Sequence, residues 1–61
     1  MTRINKEVVN NEVRYTYTVE SKSTATYKVF NSTRLYKGCT GAYGGYDVAH
    51  KAYTVTLCYA R

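Results

Sequence analysis

The chain has no proline and no tryptophan, two cysteines, one histidine, one phenylalanine, and four acidic residues against nine lysines and arginines. Each scarcity removes something. Without proline, an edge strand lacks one of the usual guards against pairing with another chain. Cys39, His50, Cys58 and Asp47 are the ligand types present, but no CxxC or HxxxH brings them together in pairs, which argues against structural zinc. No apolar run approaches the ~20 residues that a membrane helix needs, and the opening MTRINKEVVNN holds no signal-type apolar stretch. The expectation is a cytoplasmic protein with no membrane partner. In that compartment Cys39 and Cys58 are expected as thiols, although a bridge between them would close a loop of about 20 residues, worth roughly 3 kcal/mol in the chain-entropy model.

Aliphatic side chains are also few: Leu35, Leu57 and Ile4, with seven valines. Eight tyrosines make up the deficit, so tyrosine has to serve in the core. Each ring buries a large area, and its hydroxyl must find a partner or stay at the rim. A chain of 61 residues is a single domain, 1–61, and at about 60 residues only roughly 60% of the unfolded surface is buried on folding. The thin core and unguarded edges together raise the prospect of a homodimer.

Against these absences stand two runs of period-two alternation. Val13, Tyr15, Tyr17 and Val19 alternate with Arg14, Thr16, Thr18 and Glu20, and Tyr53, Val55, Leu57 and Tyr59 alternate with Ala52, Thr54, Thr56 and Cys58. One apolar side and one threonine-rich side describe half-buried antiparallel strands. The chain therefore reads as mainly β, a small single-layer antiparallel sheet of 3–5 strands, with room for one short helix or helical turn near 46–52 that Asp47 would cap. Residues 3–9 read as a first strand, closed by a tight turn at Asn10-Asn11.

After the strand at 12–20, Ser21-Lys22-Ser23 reads as a reversal. Ala25, Tyr27 and Val29 then alternate with Thr24, Thr26 and Lys28 as a further strand. The pattern slips at Val29-Phe30, and Arg34, Leu35 and Tyr36 resume as a short one. Lys37 to Gly45 contains all four glycines and reads as an irregular loop, with a last strand at about 52–60.

No catalytic motif emerges. The segment from Gly38 to Gly45 is not a P-loop, because Tyr46 and Asp47 stand where lysine and a hydroxyl residue would hold phosphate. Cys39 with His50 lacks the enclosed, electropositive setting of a reactive thiolate, and the four carboxylates lie on separate elements. The expected function is non-enzymatic binding, with no cofactor and no metal.

With odd-numbered residues turned to the core, Arg14, Lys28 and Arg34 would share a wet, hydroxyl-rich face, with Tyr36, Lys37, Tyr43 and Tyr46 near the glycine loop. Tyrosine and arginine are enriched at binding hot spots. These seven residues are the candidate binding set. The first expectation is docking, through a basic, tyrosine-rich surface or a strand edge, onto a larger protein or nucleoprotein complex that is thereby regulated or inhibited. In size and composition the chain resembles the small inhibitors and regulators that phages and other mobile elements encode, a likeness that assigns no residue a role. The alternative is direct, largely sequence-independent binding of nucleic acid along the basic face.

Overall fold

In the computed structural model, which describes residues 1–61, strand β1 (Thr2–Val9) runs into β2 (Glu12–Val19) through Asn10 and Asn11, whose φ angles are 49° and 64°. Two successive positive φ values make the hairpin turn whose twist suits antiparallel strands, and asparagine tolerates that region well. Helices α1 (Lys22–Phe30) and α2 (Ser32–Leu35) follow, then β3 (Cys39–Asp47) and β4 (Ala52–Ala60). The result is mainly β: one antiparallel sheet in the order β1-β2-β4-β3, with two short helices on one side.

The strand expected at 24–29 is a helix. β1 and β4 take both edges of β2, so a hairpin strand after Ser23 would have nowhere to pair. The chain instead crosses the sheet face to reach the far edge, and a crossing segment must satisfy its own backbone. Ser21 supplies the start: its Oγ accepts from the Thr24 N–H at 3.2 Å. Asn31 supplies the stop, its backbone and side-chain nitrogens both donating to the Tyr27 carbonyl at 3.1 and 2.9 Å.

The helical period is present beneath the alternation. Ala25, Val29, Ser32 and Tyr36 recur at helical spacing, and Ala25 and Ser32 are buried where α1 and α2 meet the sheet. Arg34 and Leu35, expected in a strand, belong to α2, and Tyr36 is its C-terminal cap. Lys28 and Arg34 therefore do not lie on a sheet face.

The glycine-rich stretch is likewise a strand rather than a loop. From Cys39 onward it is β3, paired with β4 from Cys39↔Tyr59 to Asp47↔Ala52. One of its glycines serves packing. A Cβ on Gly44 would stand 2.7 Å from the Thr54 carbonyl oxygen and 3.4 Å from Val29 Cγ2, so the missing side chain lets β3 lie close to β4 and α1 settle over it. Between β3 and β4 the chain makes a turn, not a helix. Asp47 Oδ1 accepts from the Ala49 and His50 N–H groups at 2.9 and 3.4 Å, and Lys51 completes the reversal at φ 52°.

The core lies between the helices and the β4 side of the sheet. Only eight of the 61 residues are buried, with Val55 at 0% and Leu57 at 1% exposure at the centre. Tyr17, Tyr36, Tyr53 and Tyr59 pack around that centre half-buried, as the shortage of aliphatic residues requires. Cys39 joins the core on the helix side, while Cys58, in register with Arg14, is buried on the other side. Opposite faces of the sheet cannot share a disulfide, and both cysteines are thiols. No helix is long and apolar enough to cross a membrane.

Candidate binding surfaces

Arg14 and Tyr43 occupy the face that no helix covers. The register Arg14↔Cys58 and Tyr43↔Thr56 sets them on that side with Thr16, Thr18 and Thr54. Arg14 is not a free cation there. Its guanidinium meets Glu12 Oε2 at 3.5 Å and Glu7 Oε1 at 4.0 Å, and its Nε is buried without a partner. The Cys58 thiol and Arg14 together hold the Glu12 carboxyl below its usual range, while burial and the neighbouring Glu12 push the Cys58 thiol up to about 11. A thiol so placed is inert as a nucleophile. Thr16 and Thr56 share a hydroxyl hydrogen bond at 3.0 Å across the strands, so this face is largely self-satisfied.

The helix side divides into two surfaces. Over its β1–β2 half, the register Arg3↔Tyr17 and Lys6↔Tyr15 puts both cations beside tyrosines. Strict alternation would send residues 3 and 6 to opposite faces. A bulge between Arg3 and Asn5 makes up the odd residue. Arg3 Cζ lies 5.7 Å and Lys6 Nζ 5.8 Å from the centre of the Tyr15 ring, which meets Tyr59 edge-on at 5.7 Å. Lys28, from α1, donates to the Tyr36 hydroxyl at 3.3 Å and stands 5.9 Å from that ring's centre.

At the opposite edge of the sheet, α1 and β3 frame an open groove of about 420 Å³ with Val29, Phe30, Gly44, Gly45, Tyr46 and Tyr53 among its walls. Phe30 is 82% exposed and Tyr46 55%, with Tyr46 braced edge-on against Tyr53 at 5.1 Å. The β3 edge beside this groove carries one charge, Asp47, at its end, and that carboxylate is engaged by His50 Nδ1 at 2.8 Å. The His50 contact holds the Asp47 carboxyl below its ordinary value.

The seven residues expected to form one binding set are thus distributed. Arg14 and Tyr43 share the uncovered face, Lys28 and Tyr36 touch on the helix side, and Tyr46 lines the groove. Lys37 lies exposed in the connection after α2. Arg34 is turned to its own helix, its guanidinium donating to Asn31 Oδ1 at 2.6 Å.

Sequence reasoning passed over Phe30, Arg3, Lys6 and Tyr15. A lone exposed phenylalanine at the end of a helix leaves a signal only once the helix is recognised. The pairing of Arg3 and Lys6 depends on a bulge that alternation hides. No cluster of three or more potential metal ligands is present. Compared with protein-family models, curated proteins and solved structures, the chain has no match.

Proposed function

We propose that this is a non-enzymatic binding protein that docks the β3 edge and its adjoining groove onto a larger protein or nucleoprotein complex, and regulates or inhibits that complex by covering the surface it binds. One observation carries the reading: β3 is an unguarded edge running beside an exposed Phe30. The contrast with β1 gives it weight. Each edge strand has one register shift, but β1 bears Arg3, Lys6 and Glu7, charges that keep strand edges from pairing, whereas β3 has no lysine, arginine or proline along its length and its shift is confined to its start, between Cys39 and Gly41. An edge of this kind accepts an extended segment by main-chain hydrogen bonds, and an adjacent apolar groove takes one of that segment's side chains. The net charge of +5 accelerates approach to an acidic partner without choosing it.

Gly45 permits a clean test, since a Cβ there meets nothing within 4 Å. Gly45→Lys charges the edge and Phe30→Ser empties the groove rim. Immobilised protein incubated with nuclease-treated lysate is expected to retain a discrete partner that both variants lose while their circular dichroism stays unchanged. Retention by both variants removes the edge from the interface. A second copy is the competing occupant of the same edge, and light scattering that finds a dimer in the parent protein but a monomer in Gly45→Lys would assign the edge to self-association. A second reading, direct binding of nucleic acid, is favoured by a separate surface, the basic tyrosine half of the helix side.

A further inference from the structure

Resting on that second reading, we propose that the β1–β2 half of the helix side is a binding site separate from the β3 groove, and that its ligand is single-stranded nucleic acid. α1 and α2 pack mainly against β3 and β4, which leaves Tyr15 at the floor of an uncovered surface. Tyr59 meets Tyr15 edge-on, and Tyr17, Tyr36 and Tyr59 all pack against the same buried core, so the four rings gather on one side of the sheet. Arg3 and Lys6 stand over one side of the cluster and Lys28 over the other.

No carboxylate shares the surface. Glu7 and Glu12 turn to the opposite face with Arg14, Glu20 follows the end of β2, and Asp47 closes β3 at the far edge. The sheet therefore sorts its charge: the acids that neutralise Arg14 are on one side, and the other side keeps unpaired cations around aromatic rings.

The chemistry of that combination selects the ligand. An acidic peptide would engage the cations and leave the rings idle, and a duplex keeps its bases stacked on one another. A single strand offers phosphates to Arg3, Lys6 and Lys28 and a base to stack where a cation now rests on Tyr15. The exchange is favourable because an exposed cation–π contact is weaker than base stacking on an aromatic ring, and the displaced cation moves to a phosphate. Because every base has a π-face, the binding is tolerant of sequence.

The test is fluorescence anisotropy with short labelled oligothymidylate and oligouridylate, titrated between 50 and 200 mM salt. Three phosphate contacts predict a slope of log affinity against log salt of about −2. Arg3→Gln with Lys6→Gln, both exposed positions, is expected to cut the steepness by about 1.4. Tyr15→Leu is expected to weaken binding roughly 5- to 150-fold with the slope unchanged, and Tyr15→Phe to keep most of it.

Phe30→Ser is expected to bind oligonucleotide as the parent does, so loss of the groove and loss of this site read out separately. Absence of binding at 50 mM salt overturns the proposal, as does an unchanged slope in the Arg3/Lys6 variant. Polyglutamate that competes as well as oligothymidylate would reassign the face to an acidic protein. Preference for oligouridylate over oligothymidylate would place a 2′-hydroxyl contact in the site and narrow the ligand to RNA.

Discussion

Gly44 shows how much of this molecule turns on one absent methyl. The 2.7 Å that would separate its Cβ from the Thr54 carbonyl oxygen is closer than such atoms approach, and the obstacle is backbone, which cannot swing away. Gly44→Ala is expected to cost about 1–3 kcal/mol, the range of overpacking in a filled core. Urea unfolding measures it, with Gly45→Ala as the comparison, expected within about 0.5 kcal/mol of the parent because its Cβ meets open space. Equal midpoints for the two variants would mean that the Thr54 carbonyl and Val29 do not crowd Gly44. Nothing local distinguishes these neighbouring glycines. They read alike as loop residues, and only the β4 carbonyl and the helix packed against one of them make them different.

At the scale of elements, α1 is the instructive case, because its residues prefer the other conformation. Thr24, Thr26, Tyr27 and Val29 are better suited to a strand than to a helix. With weak intrinsic propensity, the helix depends on its ends and on Ala25 and Val29 facing the core. Thr26 even turns its hydroxyl back on its own helix, donating to the Lys22 carbonyl at 2.9 Å. Ser21→Ala removes the hydroxyl that caps the Thr24 N–H, and a loss of about 1 kcal/mol is expected, against a few tenths for Ser21→Gly. A lower urea midpoint at unchanged m is the signature of that loss. An unmoved midpoint would show that burial alone maintains α1. The hairpin is the opposite case: Asn10-Asn11, flanked by alternating strands, announces its turn locally and forms it.

For the whole molecule, pH reports on both sides of the sheet at once. Asp47, engaged by His50, and Glu12, engaged by Cys58 and Arg14, have native pKa values lowered from 3.8 and 4.5. Their stabilising contributions are complete above those unfolded values and disappear as pH falls through the lowered native ones. The Cys58 thiol runs the other way. Raised from 9.0 to about 11 by burial, it contributes fully below 9.0 and loses its contribution as pH rises towards 11, and Tyr59 adds to the same alkaline limb. Melting temperature followed by circular dichroism is expected to be flat from about pH 5 to 8.5 and to fall on either side, with Cys58→Ala flattening the alkaline limb. An alkaline fall that begins near neutrality would contradict the burial of Cys58.

Arranged this way, the molecule keeps two unlike surfaces apart. The β3 edge, charged only at Asp47, and the basic tyrosine half lie on opposite margins of the sheet.

Period-two alternation identified β2 and β4, where it runs unbroken for eight residues and states which side is buried, while the shorter alternation at 24–29 belongs to a helix. The Asn10-Asn11 hairpin and the use of tyrosine in the core were equally legible, each being a property of residues and their immediate neighbours. Three decisions belonged to the tertiary structure. Residues 22–30 became a helix because β2 had no free edge, residues 39–47 became a strand because the remaining edge of β4 was open to pair with them, and Arg3 came to lie beside Lys6 because a bulge absorbed one residue of β1. The physical reason is common to all three: a pattern reports what a segment prefers alone, while pairing, crossing and register depend on which partners other segments have already taken.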